Sequence, residues 1–243
     1  MAQNLLFLLV VFLSNVVQCV TGFAGTVLAM PFSVLLVGTE TARPVLNAVA
    51  IAASVGVLLK THRSVNKREF LKILAITLPG MIAGSVLRGF LATNGVLFMR
   101  LLGGLVVAFA VVNFIGFLRK KNIFGDGNAV GAGLLVLGGV AHGMFVCGGP
   151  LIVSYASVRL KDTNEFRSTL SAVWVVLNTL LLVSDAVSGS FTPDCIKLLG
   201  LSLVLLIFSI ILGNKLAEKL SKNVFLVLTY VLMIISGAAL LLK

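Results

Sequence analysis

Apolar runs follow one another along almost the whole chain, near residues 4–20, 45–59, 70–92, 97–118, 129–145, 168–187, 195–213 and 223–242. Polar or turn-forming stretches separate them, among them KTHRSVNKRE, ATNG, RKKNIFGDGN, RLKDTNEFR and SGSFTPD. Two further apolar pieces, 26–37 and 150–158, are too short to cross a hydrocarbon core of ~30 Å at about 1.5 Å per residue. Each directly follows a glycine-containing break, TGFAGT at 21–26 and FVCGGP at 145–150. The pattern predicts an all-α polytopic membrane protein in which the backbone is interrupted twice inside the bilayer.

The chain also repeats. Shifting it by 124 residues without gaps aligns Leu13 with Leu137, Val16 with Val140, Gly25 with Gly149, Arg43 with Arg167, Ala48 with Ala172 and Gly89 with Gly213. Identities among Leu, Val and Ala are cheap in so apolar a sequence, so the shared register of breaks, loops and arginines carries more weight. The boundaries are a first repeat at 1–119, a cytoplasmic linker at 120–128 and a second repeat at 129–243, together one transmembrane domain.

Charge decides how the halves are oriented. If each short piece completed a crossing, the sided loops would share the 19 Lys and Arg almost evenly. If 4–37 and 129–158 are instead re-entrant hairpins, each half has three full crossings and the halves are inverted. One side then collects every Lys and Arg except Arg43, Arg88, Arg100, Lys197 and Lys243, as the cytoplasmic bias of basic loops requires. The expectation is two inverted repeats, each a broken-helix hairpin plus three crossings, in a plasma (inner) membrane with both termini outside.

Composition agrees with this class. Of 243 residues 59% are hydrophobic and 11% charged, and the mean hydropathy is +1.13, which leaves no room for a sizeable soluble domain. The net charge of +11 sits in short loops between apolar runs, so it reads as topology and not as nucleic-acid binding. Cys19, Cys147 and Cys195 show neither metal-ligand spacing nor a disulfide framework. The N-terminal MAQNLLFLLVVF lacks a positive flank and a small-residue cleavage site and reads as a retained membrane segment.

A break inside a bilayer survives only where protein or a water-filled cavity surrounds it. The half-helix that follows presents unpaired N–H groups and the positive end of its dipole, and paired half-helices of this kind hold anions in secondary transporters. Thr21, Gly22, Phe23, Ala24, Gly25 and Thr26, with Cys147, Gly148 and Gly149, are therefore the candidate anion cradle. Pro150 suits the first turn of the second half-helix. The plain alternative is that the glycines only permit tight helix packing.

The motifs TGFAGTVLAMP and VCGGPLIVSYA resemble the two Gly-rich motifs of the sulfite exporter TauE/SafE family, and KTHRSVNKREF resembles its basic loop. Ala24 and Thr26 stand where glycines are common in that pattern, and Cys147 is a variant in the second motif. The resemblance spans essentially the whole chain. It implies a membrane carrier for a small sulfur-containing anion such as sulfite, sulfoacetate or a related organosulfonate, with no cofactor.

Other polar residues in the apolar runs extend the candidate site. Gln18 and His142 align at the repeat offset just before the breaks, and each can donate a hydrogen bond to an oxyanion. Asn47 and Ser171 align one turn into the next crossing, and Trp174 and Asn178 share the face of Ser171. Arg43 and Arg167 start equivalent crossings and are candidates for vestibule or gating cations, since a guanidinium matches oxyanion geometry; interfacial arginines also simply reach for headgroups. His142 with Cys147 would suit an intramembrane enzyme, but no spacing secures an activated nucleophile and its base, so no residue is assigned as catalytic and none as a metal ligand.

Of the eight acids only Asp185 lies clearly within an apolar run. With no carboxylate relay expected, uniport or coupling through the substrate's own proton or His142 is the expectation. An anion channel is the nearest rival to a carrier. The expected partners are the small anion and the lipid bilayer, with a homodimer left open.

Overall fold

The computed structural model describes residues 2–21, 24–91, 94–119, 127–219 and 222–242, and of residues 20, 21, 217, 218, 222 and 225 the backbone alone. Ten α-helices lie among the described residues: α1 (Ala2–Thr21), α2 (Gly25–Val37), α3 (Thr39–Thr61), α4 (Lys67–Leu91), α5 (Gly95–Arg119), α6 (Asn128–Phe145), α7 (Gly149–Arg159), α8 (Thr163–Val187), α9 (Pro193–Lys219) and α10 (Lys222–Leu241). A 3₁₀ turn, His62–Ser64, links α3 to α4. Seven of these helices, α1, α3, α4, α5, α6, α8 and α9, are long and apolar enough to cross a membrane. The two short pieces fold as α2 and α7. Their partners α1 and α6, expected as hairpin arms, are each long enough to cross by themselves.

The packing is inside-out relative to a soluble protein. On α9, Val204, Ile207, Phe208 and Ile211 point outward, while Ser202, Leu206 and Ser209 are buried. Asn15, Arg43, Asn47, His142, Asn178 and Asp185 are likewise buried. An apolar exterior around a polar interior is what lipid demands.

The strongest helix pairings map onto one another when the halves are exchanged. α4 packs on α6 and α9 on α1; α1 packs on α2 and α6 on α7; α3 pairs with α8, and α5 with α10. Glycines make the close approaches. A Cβ on Gly84 would lie 2.2 Å from the Val140 carbonyl oxygen, and one on Gly213 would lie 3.1 Å from that of Val16. Val16 and Val140 are the pair that the repeat aligns, so each hairpin is gripped by a glycine of the opposite half. Gly80, Gly139 and Gly143 continue the α4–α6 seam, their added Cβ atoms 2.4, 2.3 and 2.1 Å from carbonyl oxygens of the facing helix. Small residues of this kind let membrane helices pack backbone to backbone.

Helices α3 and α8 run antiparallel, and so do α5 and α10. At one end of the α3–α8 pair, the Asn66 amide N–H donates to Thr169 Oγ1 at 2.9 Å and Asn66 Nδ2 to Glu165 Oε1 at 2.7 Å; at the other end Arg43 meets Asp185. In the α5–α10 pair, Gly103 meets Gly237, and Phe114 and Phe117 meet the Tyr230 ring at the opposite end.

Helix starts differ in a way that matters for the site. Asn66, Asn94, Asp162 and Thr192 accept from the backbone N–H three residues on, at 2.8 to 3.2 Å, and so cap α4, α5, α8 and α9. The starts of α2 at Ala24–Gly25 and of α7 at Gly148–Gly149 carry no side-chain cap. Nor does α3, which begins one residue after α2 ends, at Gly38 with φ 75°.

Candidate anion site

Two of those uncapped starts face a common cavity. It has a volume of about 30 Å³ and is lined by Gln18 of α1, Thr26 and Val27 of α2, Ala50 and Ser54 of α3, His142 of α6, Val146, Gly149 of α7, and Trp174 and Asn178 of α8. Six of these residues form three pairs at the repeat offset of 124: Gln18 with His142, Ala50 with Trp174, and Ser54 with Asn178. Thr26, Val27, Val146 and Gly149 have no such counterpart in the lining.

The hairpin tips reach it by tight geometry. Val146 ends α6 at φ 57° and ψ 25°, a left-handed conformation that a β-branched residue rarely adopts, and its N–H donates to the His142 carbonyl. Holding it there costs about 1–3 kcal/mol, which the surrounding packing must supply. Gly148 follows, and a Cβ there would lie 2.0 Å from the Gly138 carbonyl oxygen and 2.7 Å from the His142 Cβ. On the other hairpin a Cβ on Gly25 would lie 2.8 Å from the Gln18 Cβ. Glycine is therefore required at both tips for the backbone to come close to the two polar residues.

The polar lining is partly organised and partly free. His142 Nε2 lies 2.9 Å from Asn178 Oδ1 and donates to it, which leaves Nδ1 as an acceptor; that atom has no partner among the described residues. The His142 ring sits 5.6 Å from the Trp174 ring. Gly25, Thr26 and Val27 on one side, and Gly149 and Leu151 on the other, carry first-turn N–H groups with no intrahelical acceptor; Pro150 has none to satisfy. Two half-helix ends of positive polarity, a histidine, an asparagine, a glutamine and two hydroxyls therefore surround one small space.

A second, wider cavity of about 550 Å³ adjoins it and shares Gln18, Ser54 and Trp174. Its other walls include Asn15, Cys19, Lys60, Thr61, Asn164, Arg167, Ser171 and Asn214. Lys60, Asn164 and Arg167 at its rim are exposed. It forms a basic vestibule at the end of the bundle where the α3–α4 connection meets α8.

The structure redistributes some expected residues. Gln18, Thr26, His142, Gly149, Trp174 and Asn178 line the inner cavity; Ala24 and Gly148 stand at the starts of the half-helices behind it. Ser171 lines the vestibule instead. Asn47 is 0% exposed one turn from Ala50, and neither atom of its amide has a partner among the described residues. Cys147 is 0% exposed and lies behind the lining. Gly22, Phe23 and the side chain of Thr21 lie outside the described residues. Arg167 lies at an open rim, but Arg43, expected at an equivalent rim, is 1% exposed and ion-paired with Asp185. Asp185, the one acid expected within an apolar run, is buried in the last turn of α8 and paired with that arginine.

Ala50, Ser54, Val27 and Val146 were not expected. Ala50 and Ser54 were within reach of the sequence, since they are the 124-residue counterparts of Trp174 and Asn178. Val27 and Val146 depend on how the tips fold and leave no such signal.

A family model described as "Sulfite exporter TauE/SafE" matches residues 7–240 of the chain. The chain belongs to the sulfite exporter TauE/SafE family. No curated protein and no solved structure matches it. Membership makes the chain a membrane transport protein, and it places the two Gly-rich breaks and both cavities inside one family domain. The TauE/SafE assignment agrees with an all-α bundle whose polar groups converge in its interior.

Proposed function

We propose that the protein is a secondary transporter that carries a small sulfur oxyanion, sulfite being the best-sized candidate, across the plasma membrane by alternating access between two inverted halves. The observation that carries this reading is the inner cavity, lined by three pairs of repeat-equivalent positions and by the uncapped starts of α2 and α7. First-turn N–H groups without an intrahelical acceptor and helix dipoles at those starts suit an anion, and Gln18, His142, Ser54 and Asn178 add side-chain partners. A cavity of about 30 Å³ holds one or two water-sized groups, so it must widen somewhat even for sulfite and more for a longer organosulfonate. A sulfonate could extend its organic part past Trp174 into the vestibule only after some widening.

The antiparallel course of the α3–α8 and α5–α10 pairs supports inverted halves, because repeats related by an axis along the membrane normal would make equivalent helices parallel. The basic loops then lie inside, both termini outside, and the vestibule opens to the cytoplasm. A wide access at one end and buried polar contacts at the other favour a carrier over a channel, which needs a continuous path. The burial of Cys147 outside the lining counts against the enzyme reading.

Proteoliposomes loaded with unlabelled sulfite test the function. Saturable uptake of labelled sulfite with countertransport supports it; flux without saturation or countertransport indicates a channel, and absence of flux for sulfite and organosulfonates contradicts transport.

A further inference from the structure

Beyond the inner cavity, on the side away from the vestibule, α3, α6 and α8 enclose a second buried polar cluster. Arg43 Nη1 donates to Asp185 Oδ1, and Nη2 lies 3.5 Å from the carbonyl oxygen of Gly143, the residue that follows His142. Both residues are 1% exposed. The pairing is incomplete: Arg43 Nε, Asp185 Oδ2 and both atoms of the Asn47 amide, one turn along α3, have no partner among the described residues. Buried polar groups are normally satisfied, and an ion pair with unsatisfied atoms is a poor structural device, since desolvation offsets most of its attraction.

The repeat shows what the same positions look like when open. Arg43 corresponds to Arg167 and Asp185 to Thr61 at the offset of 124. Arg167 and Thr61 both line the wide vestibule, at the opposite end of the antiparallel α3–α8 pair. One end therefore has arginine beside an open cavity, and the other has arginine closed by a carboxylate. Along α3 the residues Arg43, Asn47, Ala50 and Ser54 share one face at helical spacing, and on α8 Asn178 and Asp185 do the same. The buried cluster therefore lies on the same faces of α3 and α8 as the residues of the inner cavity.

We propose that Arg43, with the Asn47 amide, is a second anion station beyond the inner cavity, and that Asp185 closes it as a tethered competing anion. This rests on the transport reading above. A carboxylate and a sulfur oxyanion offer a guanidinium the same chemistry, charged oxygens that accept from its fork of N–H donors. An anion leaving the inner cavity exchanges with Asp185 at Arg43, the carboxylate swings aside, and the closed end opens. In the absence of substrate Asp185 returns, so the end opposite the vestibule stays shut. No bond is made or broken.

Equilibrium dialysis of the purified full chain with labelled sulfite, together with sulfite flux in proteoliposomes, tests this. Asp185→Asn frees the guanidinium and is expected to bind one more sulfite per chain than wild type. The neutral pair Arg43→Gln with Asp185→Asn, which leaves no unbalanced buried charge, loses that extra sulfite. Its flux falls roughly tenfold or more, the scale of a lost charged hydrogen bond. Equal sulfite stoichiometry in wild type and Asp185→Asn overturns the station, as does wild-type flux through the neutral pair. If Asp185→Asn does not fold, flux through the neutral pair decides. If wild type carries no sulfite, the transport reading fails, and the stoichiometries of the two variants still decide whether Arg43 takes an anion.

Discussion

His142 Nε2 donates to Asn178 Oδ1 at 2.9 Å, joining the end of α6 to the middle of α8 across the inner cavity. The bond fixes which ring nitrogen faces the remaining space. Replacing Asn178 by Leu leaves the Nε2 proton unpaired in a buried site, a cost of about 1–3 kcal/mol, and frees the ring to turn. Sulfite affinity is expected to fall roughly tenfold, with a smaller loss for Asn178→Gln, which keeps the amide. Isothermal titration of the purified variants checks this, and unchanged affinity in Asn178→Leu counts against a binding role for the pair.

Gly148 has no room for a side chain, since a Cβ would meet the Gly138 carbonyl oxygen at 2.0 Å and His142 Cβ at 2.7 Å. Gly148→Ala should push the two arms of the second hairpin apart and displace His142. Flux is expected to be lost even where folded protein can be purified. Gly133, whose added Cβ meets nothing within 4 Å, is the control, and Gly133→Ala should transport normally.

The α4–α6 seam predicts a stability effect that is measurable without any anion present. An added Cβ on Gly143 lies 2.1 Å from the Met81 carbonyl oxygen, so Gly143→Ala must separate backbones that pack without side chains. Overpacking of this kind costs about 1–3 kcal/mol. A lower melting temperature in detergent is the expected result, and a melting temperature equal to wild type would mean the seam is looser than described.

Cys147 is buried behind the cavity lining, so Cys147→Ser should retain sulfite flux within about threefold of wild type, the scale of a mild core substitution. Complete loss of flux in a folded Cys147→Ser protein would reopen the thiol chemistry that the geometry argues against.

Arg167 at the vestibule rim acts at a distance through solvent. Arg167→Gln should raise the sulfite concentration for half-maximal flux at low salt and lose that effect as salt screens the rim charge. A defect that is independent of salt would point to direct contact.

Much of this was legible in the sequence because membrane helices announce themselves by length and hydropathy. The breaks at TGFAGT and FVCGGP, the short half-helices after them and the pairing of Gln18 with His142 follow from apolar runs, glycines and the 124-residue register. Asn47 and Ser171 were expected in the cradle. Depth along α3 and α8, not helical phase, sorts these faces: Ala50 and Ser54 join the expected Trp174 and Asn178 at the inner cavity, while Ser171 lies in the vestibule and Asn47 beyond the cavity. Arg43 looked like an interfacial arginine because its partner Asp185 lies 142 residues away and no local pattern links the two. The left-handed Val146 was invisible, since a β-branched residue is among the least expected there; only the packed hairpin makes it necessary.

An anion bound between the starts of α2 and α7 would sit beside the chain's single tryptophan, Trp174. Titrating the intrinsic tryptophan fluorescence of the purified protein with sulfite reads that site directly. A saturable change that is weakened in Asn178→Leu is the predicted result. No change in Trp174 emission, in a preparation whose proteoliposomes carry sulfite, would place the anion elsewhere and contradict the account.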